Sequence, residues 1–251
     1  MNIKITWYDN AAFRVDTIKG TLWFDPSVNK NPASPIKVEE INEPAKFVFT
    51  THGHPGHFLN SVEVTKRTGA LFIGSEELCS YILNKRLLPK ERVVSLIFGK
   101  SKSVGDLEVY LFEPEHPELS PDLIKSMDQW GGVKTRNGGF IVQGKDFSLC
   151  HMGDCIYTDI FQKLGEDFKI DIGMIPIQGK RHIESSPAEA AKNGAQIIKA
   201  LKVKTIFPII QYTKEQNRIE FLQKELKEMR LSARLIFDRP GVIHTLIEFG
   251  N

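Results

Sequence analysis

Apolar residues fall into short runs separated by polar residues along most of the first 150 positions, and this pattern predicts β-strands. Strands are predicted near residues 2–7, 11–16, 20–24, 46–50, 70–73, 93–97, 107–113, 138–144 and 147–151. Helices are predicted near 58–68 and 75–85, the second of which ends before Pro89. The stretches 31–35 and 114–137 are predicted loops, and long loops in a compact domain often carry function.

The second half of the chain alternates between strand-like and helix-like segments. The order is a strand at 171–176, a helix at 187–201, a strand at 204–209, a helix at 214–229 and closing strands near 233–237 and 242–248. Ser186 followed by Pro187 marks the start of the first of these helices, because serine caps a helix and proline is favoured at its first turn. Two β-rich halves with outer helices predict a single domain over residues 1–251, of the α/β (α+β) class, built as a four-layer αββα sandwich.

Composition narrows the classes of function. The chain has 251 residues, of which 41% are hydrophobic and 25% charged, as in an ordinary globular domain. The net charge of +2 gives no electrostatic footprint for nucleic acid. Because no run of 18 apolar residues and no cationic leader before an apolar stretch occurs, we expect a cytoplasmic protein without a membrane partner. Three dispersed cysteines, Cys79, Cys150 and Cys155, argue against a disulfide framework.

The candidate chemistry is concentrated in one segment. His52, His54 and His57 lie within six residues, directly after the apolar stretch 47–50 that predicts a buried strand. Residues two apart in extended chain face the same way, so His52 and His54 can present their imidazoles to one ion. The chain then turns at Pro55, and His57 arrives from another direction at the start of a helix. This clustering predicts a bound metal ion.

The same segment resembles a known family. The HxHxxH run, a later His116 and the segment His151-Met152-Gly153-Asp154 are similar to the metallo-β-lactamase superfamily, where HxHxDH is followed by a lone histidine and a Gly-Asp pair. Six further stretches resemble the L-ascorbate-6-phosphate lactonase-like branch of metal-dependent hydrolases: 5–8, 11–15, 22–26, 138–142, 175–177 and 186–191. The resemblance covers nearly the whole chain, and it implies the αββα sandwich and a metal-dependent hydrolase.

The resemblance also implies a set of metal ligands. The first site would consist of His52, His54, His116 and Asp154, and Asp154 would bridge to a second metal. Three imidazoles and one carboxylate suit Zn²⁺, and also Fe²⁺ or Mn²⁺ if water molecules join. We therefore expect one divalent ion, with zinc as the first choice. His57 and Asp154 are the residues expected to act in catalysis, with His57 as an acid or base near neutral pH.

The chain departs from the family pattern at three positions. Gly56 stands where the family has aspartate, and Gln211 stands near the place of its last histidine. Asn10 lies in the segment that replaces the Gly-His-Ala of the first hairpin, and its amide can still form a hydrogen bond near the site. The second site therefore keeps His57, Asp154 and a weak amide ligand, so a second ion is not expected unless His182 replaces the missing histidine.

Further residues are candidates for supporting roles. His151 and Asp25 are candidates to orient a ligand imidazole, and each has a structural alternative, as a satisfied histidine or a turn residue. Trp130 either forms a wall of the pocket or anchors its loop. Four basic residues are candidates to receive a phosphate or carboxylate of the substrate, with solvated surface charge as the alternative: Lys134, Arg136, Lys180 and Arg181.

Two hypotheses of function follow. The first is a hydrolase that cleaves an ester, lactone or phosphoester bond of a small anionic metabolite with metal-activated water. The second is a catalytically degenerate member of the same fold that binds a metal or ligand without turnover, as the residues at 10, 56 and 211 suggest. The expected partner is a small-molecule substrate, with no nucleic acid and no membrane, and homo-oligomerisation stays open.

Overall fold

Two mixed β-sheets form the centre of the computed structural model, which describes residues 2–129, 131–182 and 184–247. The strands of sheet A lie in the order β14 (Ile243–Ile247), β1 (Asn2–Trp7), β2 (Phe13–Thr17), β3 (Gly20–Phe24), β4 (Phe47–Phe49), β5 (Leu71–Ser75) and β6 (Val93–Leu96). Those of sheet B lie in the order β13 (Arg234–Leu235), β12 (Thr205–Ile209), β11 (Ile172–Pro176), β10 (Ser148–His151), β9 (Gly139–Gln143), β8 (Leu107–Phe112) and β7 (Lys100–Val104).

The two sheets share one pattern of strand direction. In sheet A, β14, β1, β2 and β3 pair antiparallel, and β3 to β6 pair parallel. In sheet B, β7 to β10 pair antiparallel, and β10 to β13 pair parallel. The loops that follow β4 in one sheet and β10 in the other therefore leave parallel strands at their carboxyl ends, where ligands commonly bind in such sheets.

Helices cover the outer faces of both sheets. On sheet A, α2 (Ser61–Thr68) packs against β4 and α3 (Glu76–Asn84) packs against β5 and β6. On sheet B, α6 (Pro187–Leu201) packs against β11 and contacts α5 (Ile160–Asp167) and α8 (Asn217–Glu228). Short helices α1 (Pro55–Phe58), α4 (Pro121–Gln129) and α7 (Tyr212–Glu215) and two 3-10 turns, Val38–Glu40 and Lys90–Arg92, lie in the connections. The predicted four-layer αββα sandwich is confirmed.

The main hydrophobic core lies between the two sheets. Phe13 of β2 contacts Phe207 of β12 with ring centroids 6.3 Å apart, and Phe49 of β4 contacts Phe140 of β9 at 5.4 Å. Val48 points to the opposite face of β4 and packs with the outer helix α2. This alternation explains why β4, buried on both faces, is apolar throughout.

The structure corrects several element predictions. Residues 121–129 form α4 and not a loop, since Pro121 suits a first helical turn and Leu123 and Met127 lie on one half-buried face. The helix predicted at 58–68 is two helices, with α1 ending at Phe58 and α2 beginning at Ser61.

The helix predicted at 214–229 begins earlier, at Tyr212, and its hydrogen bonding is interrupted at Gln216 between α7 and α8. The strand β7 and the helix α5 were not predicted. Four of the five residues of β7 are exposed and polar, so no apolar alternation marks this edge strand. Among the helices of the described residues, none has the length and apolar character needed to cross a membrane.

Candidate metal centre

The turn from β4 into α1 positions the three clustered histidines. His54 is in extended conformation at the start of α1, and its carbonyl oxygen accepts hydrogen bonds from the backbone N–H groups of His57 and Phe58, both at 2.9 Å. His54 is therefore the N-cap of α1, and Pro55 takes the first helical position, where the N–H that proline lacks would have no partner within the helix. The imidazole centroid of His52 lies 4.3 Å from that of His54 and 4.1 Å from that of His57.

Gly53, between the first two histidines, lies against the segment that follows α4. Its N–H donates to Thr135 Oγ1 at 3.0 Å, and its carbonyl accepts from the N–H of Val133 at 2.8 Å. A Cβ atom at this position would lie only 2.1 Å from the carbonyl oxygen of Val133. Glycine is therefore required here, because any side chain would push the 131–137 segment away from the histidines.

The other two predicted ligands come from sheet B. His116 follows β8 and Asp154 follows β10, and both turn towards the histidines of sheet A. One ligand atom from each of His52, His54, His116 and Asp154 lies within 4.8 Å of every other. Two of these four residues, His52 and Asp154, are buried and the other two are half-buried. The structure thus brings together the four residues that the sequence assigned to the first metal site.

Unpaired ring nitrogens show that this cluster fits a divalent cation. His116 Nδ1 lies 2.7 Å from the carbonyl oxygen of Pro117, which leaves Nε2 directed to the cluster. Nε2 of His52 and Nε2 of His116 are buried and have no hydrogen-bond partner. Buried polar atoms are normally paired, and a metal ion would pair both of them. Three imidazoles with a carboxylate are a donor set that suits a divalent transition-metal ion.

Electrostatics favour the protonation state that metal binding needs. Burial, together with neighbouring histidines, holds the pKa of His52 well below its usual range. Burial likewise lowers the pKa of His54 to about 3 and lowers the pKa of His116. All three imidazoles are therefore neutral near pH 7, which is the form that coordinates a metal.

Asp154 is held by contacts on both of its carboxylate oxygens. Gln178 donates from Nε2 to Oδ1 at 2.7 Å, while Oδ2 lies 3.1 Å from His57 Nε2 and 3.2 Å from His182 Nε2. Burial acts to raise the pKa of Asp154, but His57 and His182 outweigh it and hold the pKa well below its usual range. Asp154 is thus a carboxylate, oriented by an amide that sequence reasoning missed.

Asp25 fixes the other side of His57. The fully buried carboxylate accepts hydrogen bonds from the N–H and the hydroxyl of Thr51 at 2.8 and 2.7 Å, and its Oδ2 lies 2.7 Å from His57 Nδ1. Burial acts to lower the pKa of His57, but Asp154 and Asp25 outweigh it and raise the pKa to about 10. Asp25 therefore orients His57, the kind of role that the sequence suggested for it.

His151 lies in the core beneath this network. It is fully buried, stacks on Phe24 with a centroid distance of 5.5 Å, and places Nε2 2.9 Å from the carbonyl oxygen of Ala11. Its Nδ1 lies 3.7 Å from Asp25 Oδ2 and accepts a hydrogen bond from the N–H of Gly153. Burial lowers its pKa. His151 thus touches the residue that orients His57 but none of the four clustered ligands.

The positions where the chain departs from the family pattern lie together beside the cluster. Gly56, Asn10 and Gln211 all face one cavity. Asn10 has φ of +48°, and its amide nitrogen lies 3.2 Å from the place where a Cβ of Gly56 would stand. The N–H of Gln211 donates to the carboxylate of Glu215 at 2.7 Å. Gly56 has no side-chain ligand atom and Gln211 offers only an amide, so neither supplies a strong ligand for a second ion.

His182 is brought to the cluster by an unusual backbone turn. Its φ is +48°, in the left-handed region that disfavours a residue with a side chain, and its N–H donates to the carbonyl of Gly179 at 3.1 Å. Its ring lies parallel to that of His116 with centroids 6.1 Å apart, and Nδ1 is buried without a partner. The structure therefore places Nε2 of His182 3.2 Å from Asp154 Oδ2, beside the cluster for which the sequence suggested it as a replacement ligand.

The four basic residues proposed for substrate binding do not line this cavity. Arg136 is paired with Glu77 at 2.6 Å and Glu113 at 3.0 Å. Lys134, Lys180 and Arg181 are exposed. Trp130 lies outside the described residues.

The cavity itself has a volume of ≈ 120 Å³ and opens beside His57, Asp154 and His182. Its other walls contain residues that the sequence did not single out, among them Lys30, Leu123, Met127 and Gln178. Gln178 follows the apolar strand β11 and Ile177. Its position at the carboxyl end of a parallel strand is the sequence feature that could have identified it as a site residue.

Comparison with known proteins agrees with this geometry. Residues 4–210 match the family described as the β-lactamase superfamily domain. The chain is 28% identical over 243 residues to a UPF0173 metal-dependent hydrolase of Methanopyrus kandleri, covering 95% of this chain and 98% of that protein. It is 27% identical over 245 residues to a UPF0173 metal-dependent hydrolase of Hyperthermus butylicus, covering 96% and 98%.

Among solved structures, the fold is similar to that of Igni18, a metallo hydrolase of the archaeon Ignicoccus hospitalis. The two chains superpose with a TM-score of 0.80 at 22% identity, and the match covers 100% of each chain. At this identity the likeness concerns the fold, while the residues of the site rest on the geometry described above.

Proposed function

The chain belongs to the metallo-β-lactamase superfamily, and from this membership we propose that it is a metal-dependent hydrolase of an ester, lactone or phosphoester bond in a small molecule. The observation that carries the proposal is the cluster of His52, His54, His116 and Asp154, whose ligand atoms lie within 4.8 Å of one another. The buried Nε2 atoms of His52 and His116 have no hydrogen-bond partner, and a bound metal ion would supply one. The similarity to proteins named metal-dependent hydrolases supports the same reaction class.

The four clustered residues would hold one divalent ion, with zinc proposed because of the donor set. When bound, such an ion supplies Lewis acidity that activates water and polarises the bond to be cleaved. Gln178 keeps one oxygen of Asp154 engaged, so the carboxylate presents its other oxygen to the cluster. The cavity beside Asp154 gives a small substrate access to this side of the site.

His57 and His182 are the two imidazoles placed to move a proton. Both put Nε2 within 3.2 Å of Asp154 Oδ2, and both line the cavity. His57 is held at its second nitrogen by Asp25, which favours a fixed orienting role. His182 lines the cavity and has no carboxylate at its second nitrogen, so it is the imidazole we assign to protonation of the leaving oxygen. A general acid in such a position typically contributes about 10² to 10⁴ in rate.

The test is metal content per chain, measured by elemental mass spectrometry on protein purified without added metal. We expect about one ion per chain, following the four-ligand site, with loss of the ion in His52→Ala and retention in His57→Ala. The same samples are then assayed against a panel of esters, lactones and phosphoesters. About two ions per chain would instead implicate His182 as a further ligand, and a protein without metal or turnover would contradict the proposal.

A second function is favoured by Gly56 and Gln211, which supply no strong ligand for a second ion. Under this second hypothesis the protein binds a metal or ligand without turnover. The double variant Gly56→Asp with Gln211→His tests it, because activity that appears only in the double variant would show that the parent is degenerate. The single variant Gln211→His is the matched control. Asn10 must shift by a few tenths of an ångström to admit the aspartate, since its amide lies 3.2 Å from the new Cβ.

A further inference from the structure

One side of the cavity beside the metal centre is apolar. Leu123 and Met127 lie four residues apart on one face of α4, and Leu119, just before the helix, lines the cavity with them. All three are half-buried and line the cavity. Ile124, on the same helix, points away and is 48% exposed. The helix therefore directs two of its apolar side chains into the cavity and a third to the outside.

The rest of the lining is polar, with few positively charged side chains beside His57, whose pKa is raised. Amide side chains of Asn10, Gln178 and Gln211 line it. Within the described part of the chain, Lys30 is the one lysine or arginine that lines the cavity, and burial lowers its pKa. Glu215 also lines it and forms an ion pair with Arg218 at 2.6 Å. A phosphoester group, which needs several charge-assisted donors, finds few of them here.

From this division we propose that the substrate is a carboxylic ester or lactone with an aliphatic group that packs on the Leu119, Leu123 and Met127 face. This rests on the proposed hydrolase function and specifies its substrate class. The cavity volume of ≈ 120 Å³ suits a group of about five heavy atoms, since a cavity of about 150 Å³ holds the six of benzene. The amide side then receives the polar ester end.

The reaction balances with water alone. The oxygen of one water molecule bonds to the acyl carbon, and the bond from that carbon to the alkoxy oxygen breaks. The alkoxy oxygen gains a proton, so an ester gives a carboxylic acid and an alcohol, and a lactone gives a hydroxy acid. No oxidant, reductant or second substrate is required.

The first test measures binding without turnover. Acetohydroxamate, butyrohydroxamate and hexanohydroxamate are titrated by calorimetry into the zinc-loaded protein. Burial of each methylene should tighten binding about fourfold. Leu123→Ala and Met127→Ala should flatten this dependence on chain length. The matched control is Ile124→Ala, which removes an apolar side chain from the outer side of the same helix and should leave the dependence on chain length unchanged. Leu123→Met, which conserves volume, should also leave it unchanged.

The second test measures turnover of γ-valerolactone, γ-hexalactone and γ-octalactone, with phenyl phosphate as the phosphoester. We expect kcat/KM to rise with chain length and to exceed that for phenyl phosphate. Hydroxamate binding that is absent, or equally tight at every length, would overturn the apolar subsite, as would a preference for phenyl phosphate. Chain-length-dependent binding without turnover of any compound would instead leave the subsite standing and remove the hydrolase function.

Discussion

Both carboxylate oxygens of Asp25 are engaged in hydrogen bonds, which makes this residue the sharpest test of the network around the site. It is fully buried, it accepts two hydrogen bonds from Thr51, and its Oδ2 contacts His57 Nδ1. In Asp25→Asn, an NH₂ group would replace one of the two acceptor oxygens. That group is a donor, and it would face the donor groups of Thr51 or His57. The ring of His57 would then lose its fixed orientation at Asp154.

Thr51 Oγ1, which Asp25 holds, also lies 3.0 Å from Nδ1 of the candidate ligand His52. We therefore expect Asp25→Asn to weaken metal binding by about 10- to 100-fold, the usual effect of removing a residue that orients a metal ligand. The measurement is competition for Zn²⁺ against a fluorescent chelator. Asp146→Asn, at an exposed position, is the control and should leave affinity unchanged. Unchanged affinity in Asp25→Asn would mean that the contact of Asp25 with Thr51 does not help to hold His52 in place for the ion.

The three cysteines give a second prediction at the residue scale. Burial raises the pKa of Cys79 and of Cys150 to about 12, so at about pH 8 only about one thiol in ten thousand is the reactive thiolate. Cys155 is fully buried. We expect no alkylation of the native protein by iodoacetamide at about pH 8, and three alkylated cysteines in guanidinium chloride, both read by intact mass. Rapid native labelling of Cys155 would show access from the metal site that the structure lacks.

At the scale of elements, the loop before α6 carries Gln178 and His182, so the start of that helix bears on the site. Ser186 caps α6, and its hydroxyl accepts a hydrogen bond from the N–H of Glu189 at 3.2 Å. Ser186→Ala should lower the free energy of unfolding by about 0.5 to 2 kcal/mol, measured in guanidinium chloride. Ser101→Ala, on the exposed edge strand β7, should change it by less than about 0.5 kcal/mol. Equal effects would show that the cap contributes nothing.

The elements that could be predicted from the sequence are those whose buried apolar residues recur at regular spacing. The helix predicted at 187–201 has those bounds in the structure, because its buried residues recur at helical spacing and its cap is explicit. β7 could not be predicted, because it is held by backbone hydrogen bonds to β8 and its exposed polar side chains show no apolar alternation. α4 was missed because only two half-buried apolar side chains distinguish it from a loop.

The same division holds for the site. His52, His54, His116 and Asp154 were named through the family resemblance, and their ligand atoms meet in the structure. The hydrogen bond from Gln178 joins residues 24 positions apart, and no local pattern encodes such a contact. Which side chains meet in the cavity depends on how loops of both sheets converge, and that is decided by tertiary packing.

At the scale of the whole molecule, the metal centre joins the two halves of the sandwich. His52 and His54 follow β4 of sheet A, while His116 and Asp154 follow β8 and β10 of sheet B. Unfolding of either half would therefore destroy the site. The free energy of binding a metal there would then stabilise both sheets and not one loop.

This arrangement predicts a large effect of metal removal on thermal stability. Free metal at about 100 times its dissociation constant stabilises a protein by about 2.7 kcal/mol, and about 1 kcal/mol shifts the melting temperature of a domain of this size by about 2–4 °C. Dipicolinate should thus lower the melting temperature in calorimetry by roughly 5–10 °C. His116→Ala, which removes the ligand that follows β8, should melt at one temperature with or without the chelator. A wild-type protein that loses its metal without a shift would show that the ion does not hold the two sheets together.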